Sequence, residues 1–214
     1  MKKKTKARTR SLGTLIAAVS LFAASIIAPS AAVAEDQYYY VANQGTNMVA
    51  EVFAHSQADS APVVLWPNYG GESEQFKKVD LNGGAFALVA RHSGKCLAHS
   101  WDTKNNAVLQ TTCGALGSQP YDFFQIWVTR EVQKTASDCG GGPCFGGSRT
   151  VLVNYWAGWR NCLDSANGNA PAPPKQGAGL QTWPCIKKFS DWNAVNQDWR
   201  LVKTQDWGGG PNVH

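Results

Sequence analysis

Residues 158–199 concentrate side chains that can hold a polar ligand without reacting with it. A carboxylate stands in Cys162-Leu163-Asp164, an indole in Gln181-Thr182-Trp183-Pro184-Cys185, and two amides in Asn196-Gln197-Asp198-Trp199. A carboxylate accepts hydrogen bonds from hydroxyl groups more strongly than a neutral acceptor does. An indole offers a broad apolar face and one polar ring atom. In one shallow pocket these groups suit a pyranose, which has hydroxyls at its edge and C–H groups on its face. Covalent chemistry has less to build on. The four histidines, at 55, 92, 99 and 214, follow no Ser/His/Asp order and no metal-ligand spacing. Paired carboxylates suited to glycoside hydrolysis are not evident either. The chain therefore reads as non-enzymatic, with no cofactor and no metal.

The elements that must position these groups are short. Apolar runs such as Tyr38-Tyr39-Tyr40-Val41, Val63-Val64-Leu65-Trp66, Phe86-Ala87-Leu88-Val89, Phe124-Gln125-Ile126-Trp127-Val128 and Val151-Leu152-Val153 are separated by turn residues. No long stretch keeps a 3.6-residue apolar period, so the pattern predicts an all-β domain of many short strands. Two segments repeat. Cys96-Leu97-Ala98, Gln110-Thr111-Thr112-Cys113 and Phe124-Gln125-Ile126-Trp127 lie over Cys162-Leu163-Asp164, Gln181-Thr182-Trp183-Pro184-Cys185 and Asn196-Gln197-Asp198-Trp199. The second cysteine precedes the closing tryptophan by 14 positions in both. A fainter copy at the front has Val49-Ala50-Glu51-Val52, Val63-Val64-Leu65-Trp66-Pro67 and Glu74-Gln75-Phe76, without cysteines. The units are about 37–80, 83–130 and 149–203. Three units of four strands predict a closed, pseudo-threefold barrel with a hairpin cap, which leaves no exposed sheet edge.

The Cys-Leu-Asp, Gln-x-Trp-Pro-Cys and Asn-Gln-x-Trp elements resemble those of the ricin B-type (R-type) lectin family of β-trefoils, over nearly the whole chain after residue 34. The resemblance implies a glycan partner of the galactose type. It also makes Trp127, Trp199 and Phe76 core residues rather than ligand contacts. In the third unit it implies that Asp164 accepts bonds from two ring hydroxyls, Asn196 donates to one and Trp183 is the stacking platform. Gln197 would support Asp164, and Gln181 would be structural. The second unit has lost this chemistry, with Ala98 at the acid position, Thr112 at the aromatic position and Phe124 in place of the Asn. His99 and Trp101 lie close by. In the first unit Glu51 and Trp66 make a degenerate site, with Ser73 and Glu74 at the amide positions. The loop Asn167–Gly179, with Pro171, Pro173 and Pro174, would rim the third pocket.

Six thiols allow fifteen pairings. By the repeat, Cys96 pairs with Cys113 and Cys162 with Cys185, which leaves Cys139 and Cys144 to close a small loop. The even count suits an oxidising compartment. The basic head Lys2–Arg10, the apolar stretch Leu12–Ala28 and Ala32-Val33-Ala34 predict a signal peptide over residues 1–34, hence secretion, and residues 205–214 read as a tail. Six of the 20 basic residues and none of the 15 acidic ones precede Glu35, so the net charge falls from +5 to −1 on cleavage. A nucleic-acid partner then loses its electrostatic support. No further segment is long and apolar enough to span a bilayer. Other functions open to such a chain are the binding subunit of a secreted toxin and a protein-binding trefoil of the protease-inhibitor kind.

Overall fold

The structure is a computed structural model. It describes residues 36–100, 106–114, 121–133, 148–156, 160–166, 174–186 and 192–208. The expected signal peptide, Trp101, the Cys139/Cys144 loop and Pro171 and Pro173 lie outside these residues.

Among the described residues the chain forms twelve strands, four in each unit. The first unit supplies β1 (Tyr38–Asn43), β2 (Met48–Val52), β3 (Ala61–Pro67) and β4 (Gln75–Asp80). The second supplies β5 (Ala85–Ala90), β6 (Cys96–His99), β7 (Val108–Thr111) and β8 (Trp127–Gln133). The third supplies β9 (Ser148–Asn154), β10 (Asn161–Ser165), β11 (Leu180–Pro184) and β12 (Trp199–Lys203). Antiparallel pairs β1–β4, β4–β5, β5–β8, β8–β9 and β12–β1 run round a barrel made from the first and fourth strand of each unit. The middle strands form the hairpins β2–β3, β6–β7 and β10–β11. Bridges Ala61↔Gln110, Val64↔Gly179 and Ala107↔Gln181 join the hairpins to one another. The all-β, pseudo-threefold β-trefoil that the repeat predicts is the fold observed.

Alternation along the strands explains the core. On β10 and β11, Leu163, Leu180 and Thr182 are buried on the inner face, while Trp183 on the other face is exposed. Phe76, Trp127 and Trp199 each lie at or next to the start of the fourth strand of their unit and are fully buried in one apolar cluster. The Trp127 indole N–H donates to the Leu97 carbonyl at 3.0 Å and that of Trp199 to the Leu163 carbonyl at 2.9 Å. Each thereby ties its barrel strand to its hairpin. Replacing a buried tryptophan of this kind by alanine costs about 3–5 kcal/mol.

A 3-10 turn precedes each fourth strand, over Glu72–Glu74, Phe123–Gln125 and Trp192–Gln197. Each turn ends on a fully buried polar side chain, Glu74, Gln125 or Gln197. Disulfides Cys96–Cys113 and Cys162–Cys185 staple the second and third hairpins. The first hairpin has none. No helix among the described residues is long and apolar enough to cross a membrane.

Candidate functional site

The hairpin β10–β11 sets the geometry of the third unit. Its register places Asp164 opposite Gln181 and Cys162 opposite Trp183. Cross-strand partners and residues two apart on one strand share a face. Asp164, Gln181 and Trp183 therefore point the same way, over the Cys162–Cys185 staple. Asp164 is buried, and both of its carboxylate oxygens are held. Gln181 Nε2 donates to Oδ1 at 2.9 Å, and Gln197 Nε2 donates to Oδ2 at 3.1 Å. Gln197 is fixed in turn by donating to the Pro184 carbonyl at 3.2 Å and accepting from the Ile186 N–H at 2.9 Å. Burial pushes the Asp164 carboxyl up from its ordinary value, and the Gln181 and Gln197 amides oppose that rise. Two amide N–H groups leave a carboxylate with lone pairs still free to accept hydroxyls. Trp183 is 48% exposed beside it. Asn196 is buried, and its backbone carbonyl accepts from the Ser165 hydroxyl and the Trp199 indole.

Gln181 reads as structural in the sequence, and its amide donates to the acid. Its position on the strand, two residues before the tryptophan and opposite Asp164, was the available signal.

The second unit shows how the same frame looks without an acid. Ala98 faces Leu109, and Cys96 faces Thr111. The residue at the aromatic position is therefore Thr111, one place before the Thr112 expected from counting along the strand. Counting from Gln110 sets the frame one residue off; counting back from the cysteine sets it correctly. Gln125 keeps the backbone contacts of Gln197, accepting from the Gly114 N–H and donating to the Thr112 carbonyl, and turns its spare N–H to the Thr111 hydroxyl. His99 is buried, its Nδ1 bonded to the Thr182 hydroxyl at 3.0 Å, and burial lowers its pKa. It braces the cap.

In the first unit Glu51 faces Val64 and Val49 faces Trp66, so Glu51 and Trp66 occupy the positions of Asp164 and Trp183. Their surroundings differ. The Tyr69 hydroxyl donates to Glu51 Oε1 at 3.1 Å and lies 3.1 Å from His55 Nδ1 and 2.7 Å from the Ser73 hydroxyl. Glu74, at the position of Gln197, does not reach toward the acid as a donor. Its carboxylate accepts from the backbone N–H groups of Tyr69, Gly70 and Gly71. Trp66 is half-buried, and a Cβ at Gly177 would lie 3.8 Å from its ring. The Leu65 N–H donates to the Ala178 carbonyl, and the Gly177 N–H to the Leu65 carbonyl. The described end of the proline-rich loop is thus laced onto β3 of the first unit. Nothing in the repeat marks Tyr69 or His55, since both lie between motif positions. His55 reaches the cluster because Ala54 and His55 both adopt positive φ, 54° each.

Comparison with known proteins agrees with this architecture. A family model described as a ricin-type beta-trefoil lectin domain-like unit matches residues 28–112. No curated protein matches the chain. Among solved structures, the designed threefold-symmetric protein ThreeFoil is 25% identical, with a TM-score of 0.56 over 77% of this chain and 97% of its own. The exo-beta-1,3-galactanase 1,3Gal43A from Clostridium thermocellum is 22% identical, with a TM-score of 0.57 over 79% of this chain. This chain spans 31% of that enzyme's length. The C-half of an earthworm R-type lectin, solved in complex with GalNAc, is 12% identical, with a TM-score of 0.50 over 78% of this chain and 98% of its own. At such identities the last two establish the shared fold. With three four-stranded units, Gln-x-Trp closing the second and third, this chain folds as a β-trefoil, and over residues 28–112 its sequence is similar to ricin-type β-trefoil lectin domains.

Proposed function

We propose that this protein is a secreted, non-catalytic lectin that binds a glycan of the galactose type on its third unit. The observation that carries the reading is Asp164, buried, held through both oxygens by amides and set beside the exposed face of Trp183. In this reading Asp164 accepts from two adjacent ring hydroxyls, and the Asn196 amide donates to a third group. Trp183 covers the C–H face of the ring. Gln181 and Gln197 act through Asp164. The GalNAc bound to the earthworm lectin half supports the sugar class. The basic, apolar leader and the two disulfides support export.

The test is glycan-array binding of the purified protein beside Asp164→Ala and Trp183→Ala, followed by titration with the best glycan. A hydrogen bond to a charged group contributes about 1.5–3 kcal/mol. Asp164→Ala should therefore weaken binding by at least about tenfold, and by about a hundredfold if both hydroxyl contacts are lost. Trp183→Ala should weaken it by about tenfold with little change in stability, because the ring is half exposed. Binding that neither substitution alters, or the absence of any bound glycan, overturns the reading.

A further inference from the structure

A concavity of about 400 Å³ lies on the flank of β1, and none of the three hairpins lines it. Tyr38 and Tyr40 of β1, Gln75 of β4, Arg91 just after β5, Asp36 and Gln205 face it. The size falls within the range of small-molecule sites.

The cleft is built rather than incidental. The Arg91 guanidinium lies 4.7 Å from the centre of the Tyr38 ring and donates through Nη1 to Gln75 Oε1 at 2.6 Å. Gln75 Nε2 donates to the Gly70 carbonyl at 2.9 Å and to the Tyr40 hydroxyl at 3.4 Å. Trp207 packs edge-on against Tyr40, with centroids 5.3 Å apart. Gln75 and Tyr40 are 6% and 5% exposed, so the wall is held in place before any ligand arrives. Tyr40 only accepts in its bond with Gln75, and its own hydroxyl proton remains to be donated.

The lining also has no net sign. Arg91 faces Glu72 at 3.4 Å, and Asp36 faces Lys77 at 2.7 Å. Balanced charge disfavours a phosphate or a polyanion. Hydroxyl, amide and guanidinium groups set beside tyrosine rings match a ligand with many hydroxyls and an apolar face.

The pseudo-threefold repeat supplies an internal control. Tyr39 pairs with Phe76 as Phe86 pairs with Trp127, and the Arg91 N–H donates to the Gln75 carbonyl as that of Tyr155 donates to the Ile126 carbonyl. The counterparts of Tyr38, Tyr40, Gln75 and Arg91 are then Ala85, Ala87, Ile126 and Tyr155. The trefoil does not require this polar wall. The second unit lacks it, and in the third the Gln44 N–H donates to the Asp198 carbonyl, so that Asp198 and Gln44 stand at the positions of Gln75 and Arg91.

We infer that the β1 cleft is a second carbohydrate site, taking a single neutral pyranose and making the protein bivalent with the third-unit pocket. The inference rests on the lectin reading for its ligand class, but not on the third-unit residues. Two independent sites on one rigid domain would raise avidity for branched or clustered glycans without either site being tight.

The experiment is an ¹H–¹⁵N NMR titration of the purified protein with galactose, N-acetylgalactosamine, glucose and mannose, and with glycerol as a control. Each is added to about 20 mM, well above a millimolar dissociation constant. The expected result is a saturable set of shifts at Tyr38, Tyr40, Gln75 and Arg91 with at least one sugar and not with glycerol. That set should persist in Asp164→Ala and weaken at least about tenfold in Tyr38→Ala and Gln205→Ala, both at exposed or half-exposed positions. Shifts confined to the third hairpin would overturn the second site and leave the lectin reading standing. Cleft shifts without third-hairpin shifts would overturn the third-unit assignment and leave the second site standing. Cleft shifts produced equally by glycerol would overturn the second site as a sugar site.

Discussion

The first and third hairpins share one backbone frame and differ in what surrounds the acid. In the third, two amides turn their N–H groups to Asp164, beside an exposed indole. In the first, the Tyr69 phenol donates to Glu51 from within the chain, and the indole of Trp66 is half-buried near Gly177. The same position in the repeat therefore holds its acid in two ways, through amide donors in the third unit and through a phenol in the first. The exchange of Gln197 for Glu74 is central. An amide can donate to the acid, whereas a carboxylate would repel it and turns instead to the backbone of residues 69–71, the segment that carries Tyr69.

The largest expected effect tests the staple that only the third of these two hairpins has. Replacing both Cys162 and Cys185 by serine removes a crosslink over a sequence separation of 23 residues. The expected loss is about 3 kcal/mol of unfolding free energy, read from urea denaturation. A loss below about 1 kcal/mol would show that the third hairpin, like the first, is held by its other contacts.

Next is the pH response of the first unit. Burial pushes the Glu74 carboxyl up from 4.5 to about 7, the backbone N–H groups of Tyr69, Gly70 and Gly71 oppose the rise, and the nearby Glu51 charge adds to it. Between about 4.5 and about 7 the folded protein keeps a proton that the unfolded chain has released. Stability should therefore be highest at the acid end of this window and fall as pH rises through about 7. Glu74→Gln, which installs the residue found in the other two units, should flatten that slope in urea midpoints measured from pH 5 to pH 8. An unchanged slope would assign the pH response to another group.

The smallest effect concerns Tyr69. Tyr69→Phe removes the hydroxyl that bonds Glu51, His55 and Ser73 and should cost about 1 kcal/mol in stability. Glycan stoichiometry should not rise, because Trp66 stays packed beside Gly177. An additional binding event in this variant, seen by calorimetry, would show that the phenol alone closes the first hairpin.

Much of the fold was legible because it rests on local chemistry repeated three times. Turn-separated apolar runs fix short strands, and the buried aromatic residues Phe76, Trp127 and Trp199 mark where each unit closes. The acid positions could be read from the same spacing. Side-chain roles were less legible. Gln181 needed cross-strand register to be seen as a partner of Asp164. The aromatic position of the second unit needed the pairing of Cys96 with Thr111 to replace Thr112. The Tyr69–Glu51–His55 cluster needed the chain to fold back at Ala54 and His55, which no motif marks.

Residues 162–199 by themselves determined that a carboxylate, an indole and two amides would stand at intervals set by strand and turn lengths. Only the tertiary structure decided how each acid is held. That depends on which way a buried glutamine or glutamate turns, on a tyrosine crossing from a neighbouring turn, and on the end of a proline-rich loop pairing with a distant strand. These are contacts between segments far apart in the chain, and local sequence pattern carries no record of them.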